Sequence, residues 1–153
     1  MTIHQPTRST GAVRLTVMSY NIQSGFRTAH NPTRDPDLVD LEPIIEVIRR
    51  EDPDIVALQE VDRFRARTRY EDQAAYIASA LGMEFAFGPA FYGEETEVGR
   101  GMYGNALLSK FPIESALTHA LPGRFMLLPD EPAWVIEPRV ALETRLRTGE
   151  TAV

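Results

Sequence analysis

The stretch Pro53-Asp54-Ile55-Val56-Ala57-Leu58-Gln59-Glu60-Val61-Asp62 sets the strictest limit on how this chain folds. Four apolar residues, Ile55 to Leu58, follow a Pro-Asp breaker and run straight into Gln59 and Glu60. A short apolar run that opens on β-branched side chains reads as a strand buried on both faces, the kind found where helices cover a sheet. Glu60 then stands where the strand emerges, on a rigid support beside a crevice, a good place for chemistry. The plainer reading, a first solvated loop residue, stays open on this stretch alone.

The flanking sequence supplies a partner strand and a crossover helix. Val13 to Tyr20 alternates as a strand and ends at Asn21. A polar loop from Ser24 to Asp37 contains Pro32 and Pro36. Leu41, Ile44, Ile45 and Ile48 then recur at helical spacing, with Asp40 as the expected N-cap and Pro43 within the first turn. Strand, helix and buried strand in that order favour an α/β layered fold.

Arg63, Arg65, Arg67 and Arg69 follow in an expected loop, either a phosphate-steering patch or a solvated run. Asp72 begins a second helix with Ala74, Ile77, Ala78 and Leu81 on one face and Gly82 just past its end. Glu84 to Phe87 reads as a short strand. Gly88 to Gly101 reads as a polar loop, long enough to bind something or to move. Tyr103 onward is a buried strand stopped by Pro112, Ile113 to His119 is another, and Ala133 to Arg147 contains a long one, with Glu137-Pro138-Arg139 near its start. Thr148-Gly149-Glu150 reads as a hairpin turn and Thr151-Ala152-Val153 as the start of the returning strand.

Composition narrows function by exclusion. A chain of 153 residues is expected to form one domain. Its net charge of -6 gives no global electrostatic case for tight DNA binding. With no cysteine there is no disulfide, thiolate metal site or cysteine nucleophile. No apolar run approaches the roughly 18 residues of a membrane span. Met1 to Gly11 is polar and lacks a signal-peptide core, so residues 1–12 read as a disordered tail and the default location is cytoplasmic.

Four pieces taken in order carry a family resemblance. They are Met18-Ser19-Tyr20-Asn21-Ile22, the Pro53 to Asp62 stretch, Tyr103-Gly104-Asn105-Ala106-Leu107-Leu108-Ser109-Lys110-Phe111-Pro112-Ile113, and Glu137-Pro138-Arg139-Val140-Ala141-Leu142. Together they resemble the endonuclease/exonuclease/phosphatase family of metal-dependent phosphoester hydrolases, from Leu15 onward. The resemblance implies an α/β fold, a partial two-sheet α/β sandwich (DNase I-like) whose first sheet carries flanking helices. It implies that Glu60 binds a catalytic Mg²⁺, with Mn²⁺ as the alternative, and that Asn21 helps to order the metal and phosphate site. The residue types suit a hard cation. Arg139 matches a position beside that site, where a guanidinium holds a phosphate oxygen or braces Glu60; the sequence leaves both open. Tyr103 and Asn105 match a segment lining the family's cleft and are its candidate substrate-binding residues.

The chain also departs from the family, whose second half supplies a His or Tyr, a Gly-Asp-x-Asn segment and a terminal Asp-His pair. None of these motifs occurs here. His4 falls in the tail and His30 in the first loop, while His119 reads as a strand-end residue rather than a base. Residues 13–153 are therefore expected to be a family domain cut before its C-terminal half. Such a chain should have little or no activity by itself. Its sheet face should be left for a missing C-terminal half, or for self-association. The implied substrate is a phosphoester, either nucleic acid or a small phosphodiester or phosphomonoester. Glu94, Glu95 and Glu97 would repel a polyanion if they faced the cleft. A non-catalytic phosphate- or partner-binding module derived from the fold is the alternative.

Overall fold

In the first of two sheets, helical spacing on one side meets strand alternation on the other. The computed structural model describes residues 14–27, 35–122 and 138–148, with the backbone of Thr151 and Ala152 in addition. The strands are β1 (Val17–Asn21), β2 (Ile55–Arg63), β3 (Glu84–Thr96), β4 (Gly99–Ser109), β5 (Ile113–Ala120), β6 (Val140–Thr148) and β7 (Thr151–Ala152). The helices are α1 (Glu42–Glu51) and α2 (Gln73–Leu81). The first sheet has the order β1-β2-β4-β3 and the second β5-β6-β7. β1 runs parallel to β2, from Val17 opposite Ile55 to Asn21 opposite Gln59, as a crossover through α1 requires. The other pairings are antiparallel.

Alternation assigns the faces of the first sheet. Val56 and Leu58 of β2 and Ala106 and Leu108 of β4 point to one side. There they join Ile44, Ile45 and Ile48 of α1 and Ala74, Ile77 and Ala78 of α2 in a single core. The second sheet lies against the opposite side. A Cβ built on Gly88 of β3 would stand 3.1 Å from Thr118 Oγ1 and 3.2 Å from Leu142 Cβ, so glycine is what lets the sheets approach there.

The helix termini follow local chemistry. Asp72 caps α2 by accepting the Ala75 N–H at 3.2 Å. Gly82 ends it in the left-handed conformation, φ 65°, as its place after the last apolar residue predicts. At α1 the expectation shifts by one residue. Leu41 occupies the cap position, and Asp40, immediately before it, accepts the Glu42 N–H at 3.1 Å.

Two expectations fail. Gly88 to Gly101 is not a loop; it forms most of the β3–β4 hairpin, with Glu95 opposite Arg100 and Thr96 opposite Gly99. β3 is an edge strand whose outer half is exposed, so it lacks the apolar run that marks a buried strand, and an edge tolerates Pro89. Nor does β2 end at Glu60, since it continues to Arg63. Ala133 to Glu137, the expected beginning of the last long strand, and residues 1–12 lie outside the described residues.

Candidate active site

β1 stays in register with β2 to the end of β1, so Asn21 lies beside Gln59. One residue later the register of β2 against β4 breaks. Leu58 faces Ala106 and Val61 faces Gly104, which leaves two residues of β2 opposite Asn105 alone. This is a β-bulge, a device that re-aims a side chain. Glu60 takes the bulge at φ 58°, a left-handed conformation that costs a non-glycine residue roughly 1–2 kcal/mol. The re-aimed carboxylate meets Asn21, whose Nδ2 donates to Glu60 Oε1 at 2.8 Å. Asn21 Oδ1 accepts the Gln23 N–H at 3.0 Å, which fixes the amide's orientation.

Across the cleft, Gly104 allows β3 and β4 to close tightly, because a Cβ there would fall 2.1 Å from the Gly88 carbonyl oxygen. Tyr103 beside it is buried, with the Arg67 guanidinium 5.4 Å from its ring centroid. Asn105 Nδ2 donates to the Val140 carbonyl at 3.0 Å and so ties β4 to the start of β6. The Leu121 N–H donates to the Arg139 carbonyl at 2.9 Å, and this holds the exposed residue before β6 in place. The result is a cleft of about 300 Å³ lined by Asn21, Gln59, Glu60, Tyr103, Asn105 and Arg139, with Ala90, Gly104, Leu121, Pro138 and Val140 completing its wall. All the candidate residues read from the sequence thus come to one place. Asn105 arrives with its amide nitrogen already bonded across the sheets.

Three of the four arginines, Arg63, Arg65 and Arg67, are half-buried in pairs with carboxylates rather than solvated, and Arg69 alone is exposed. Arg67 grips the fully buried Asp62 through Nε at 2.6 Å and Nη2 at 2.8 Å, and Arg65 approaches the same carboxylate at 3.7 Å. Arg63 pairs with Asp72 and lies over the Phe87 ring, and Arg69 Nη2 donates to the Val39 carbonyl at 3.0 Å. A buried carboxylate needs such partners, and guanidinium planes stack well on aromatic rings. Beneath the bulge, Ser24 Oγ donates to the Glu60 carbonyl at 3.3 Å. Gln73 of α2, also fully buried, donates through Nε2 to the Ser24 carbonyl at 2.7 Å and accepts the Asp62 N–H on Oε1 at 2.9 Å. Asp62 and Gln73 carry no sequence signal of burial, because one follows an apolar run like any loop acid and the other opens a helix like any surface amide. His119 is exposed on β5, with Nε2 2.7 Å from a Glu143 carboxylate oxygen, and is not in the cleft wall.

Three groups outside the cleft have shifted pKa values. The Arg27 hydrogen bond holds Asp40 below its ordinary value, burial raises Glu71, and the bond to Glu42 raises Tyr76.

A two-sheet α/β scaffold with an amide at the end of one strand and an acid on a bulge of its parallel neighbour defines the class. The sequence matches the model of the Endonuclease/Exonuclease/phosphatase family over residues 18–136, and the chain belongs to that family. Solved structures of the same description share its fold. One is the endonuclease/exonuclease/phosphatase from Beutenbergia cavernae DSM 12333, with 24% identity and a TM-score of 0.62 over 89% of this chain. Another is an endonuclease/exonuclease/phosphatase family protein from Leptotrichia buccalis C-1013-b, with 12% identity and a TM-score of 0.56 over 91% of this chain. The chain spans 35% of the first and 52% of the second. No curated protein matches it. Among the described residues no helix is long and apolar enough to cross a membrane.

The cleft's donors are hard oxygens. Among the described residues no three His, Cys, Asp or Glu side chains converge, so a thiolate- or histidine-type cage does not form. One carboxylate and one amide oxygen are hard donors, and Mg²⁺ commonly binds through one or two carboxylates while keeping waters and taking substrate phosphate. Glu60 fits that pattern, and Asn21 orients its carboxylate through Nδ2 while its Oδ1, which accepts the Gln23 N–H, keeps a second lone pair.

Proposed function

We propose that the cleft is the cation- and phosphate-binding part of a Mg²⁺-dependent phosphoester hydrolase, with Mn²⁺ as the alternative cation. The observation that carries this reading is the Asn21–Glu60 pair, held on a bulge in a cleft that Arg139 also lines. Glu60 supplies the carboxylate oxygen and Asn21 the amide oxygen. The Arg139 guanidinium holds a phosphoryl oxygen of the substrate. Tyr103 and Asn105 form the wall opposite, where they orient the ester. A divalent cation bound there supplies Lewis-acid polarisation of the phosphoryl group. Hydrolysis also needs a base for the attacking water, and among the described residues no histidine lines this cleft. The 153-residue chain, which spans only part of the length of the similar solved structures, is expected to turn over little or no phosphoester alone. Its net charge of -6 tilts the substrate slightly away from duplex DNA and toward a small phosphodiester or phosphomonoester.

The test is a Mn²⁺ titration followed by electron paramagnetic resonance, on the chain and on Glu60→Gln. The expected result is weak single-site uptake that the substitution abolishes while the melting temperature holds. Equal uptake by both proteins contradicts the assignment.

A further inference from the structure

Two left-handed turns meet beneath the cleft. Gln23 and Ser24 follow Asn21 at φ 49° and 52°, and Glu60 sits at φ 58° on the bulge. None of the three is glycine, so surrounding contacts must hold each turn in place. Some of these contacts join the turns directly: Asn21 Nδ2 to the Glu60 carboxylate and Ser24 Oγ to the Glu60 carbonyl. A further clamp comes from α2. Gln73 Nε2 donates to the Ser24 carbonyl on one turn, while Oε1 accepts the N–H of Asp62, two residues beyond Glu60 on the other.

The position is otherwise an apolar one. Gln73 is fully buried, and the helical face that it begins continues through Ala74, Ile77 and Ala78 in the core. An amide buried there is tolerated only because both of its ends are bonded. Both ends are spent on the turns that follow Asn21 and that bear Glu60. The Asp72 carboxylate caps the same helix one residue earlier and fixes where the amide begins.

We propose that Gln73 is a positioning residue for the cation site of Asn21 and Glu60. It touches no cation itself. It sets the separation and tilt of the two ligand-bearing turns from inside the core. Small shifts matter here because Mg²⁺ demands near-ideal octahedral geometry at about 2.0–2.1 Å from its oxygens. The inference rests on the reading of Asn21 and Glu60 as cation ligands, and its test separates the two claims.

Gln73→Met keeps the length of the side chain and removes both bonds. In the 153-residue chain it should weaken Mn²⁺ binding about 10- to 100-fold, the usual cost of losing a group that orients a ligand. It should also move the Asn21 side-chain amide resonances in the metal-free protein. Ile48→Val, a truncation on the core face of α1, serves as the control. It should lower the melting temperature while leaving both readouts unchanged, which a merely structural role for Gln73 would not separate. Wild-type affinity and wild-type Asn21 resonances in a folded Gln73→Met protein overturn the proposal. If that variant does not fold, hydrogen exchange in the unaltered chain decides, because coupling is reciprocal. Mg²⁺ should then slow exchange of the Asp62 N–H, and no change overturns the proposal. If the unaltered chain takes up no Mn²⁺, the cation assignment has failed, and the Asn21 resonances alone judge whether Gln73 positions that pair.

Discussion

The two faces of the first sheet solve different problems with the same strands. On the helix side, Val56, Leu58, Ala106 and Leu108 are packed against α1 and α2 and are essentially inaccessible. On the other side the second sheet covers β3 and β4, while Val17 of β1 stands 63% exposed and Ser19 and Asn21 are exposed beside it. The candidate cleft lies at one end of this second face, near the boundary between its covered and open parts. Stability is concentrated on one face, and polar groups held in unusual backbone conformations are concentrated at the edge of the other. Site residues in such a scaffold can be strained because the core behind them is not.

The comparison predicts unequal costs for neighbouring positions. Leu58→Ala empties a fully buried site on the helix face and should destabilise the chain by about 2–5 kcal/mol, read from denaturant unfolding. Val17→Ser, on the adjacent strand but the open face, should stay within about 0.5 kcal/mol of the parent. Equal losses at the two positions would erase the distinction between the faces. Val17→Ser should instead reduce self-association, measured by sedimentation, since Val17 and Leu117 stand exposed on sheet surfaces that carry no helix. A compact monomer that associates no more than the variant would count against this.

The smallest effect is electrostatic. The Arg27 hydrogen bond to Asp40, in the turn before α1, holds that carboxyl below its ordinary 3.8. A depressed acid adds stability that is full above 3.8 and disappears as pH falls through the lower folded value. Asp40→Asn should therefore lower the melting temperature slightly at neutral pH and leave it unchanged in acid, so that the gap between the two proteins closes as pH falls. Superimposable pH profiles would show that the exposed pair contributes nothing measurable.

What the sequence revealed followed from how local each signal was. Glu60 was legible as a candidate because an apolar run leads into it, Asn21 because an alternating strand ends at it, and Asp72 and Gly82 because capping is a matter of a few residues. The left-handed backbone at Glu60 was not legible, since the bulge exists only against β4, more than forty residues away in sequence. The β3–β4 hairpin was missed because glycines, Pro89 and an exposed outer half imitate a loop. The burial of Arg63, Arg65 and Arg67 was not legible because the Phe87, Phe91 and Tyr103 rings they stack on arrive through β-pairing. Gln73 was invisible for the same reason: its burial is set by α2 docking over the two turns. The family resemblance singled out the candidate residues, whereas tertiary contacts determine how they are aimed.

The most direct test of the central claim is where a paramagnetic cation settles. Substoichiometric Mn²⁺ added to isotope-labelled chain should broaden the amide resonances of Asn21, Gln59, Glu60 and Asn105 first, and Glu60→Gln should abolish that pattern. Broadening centred instead on the exposed hairpin acids Glu94, Glu95 and Glu97, or left unchanged in Glu60→Gln, would contradict the account.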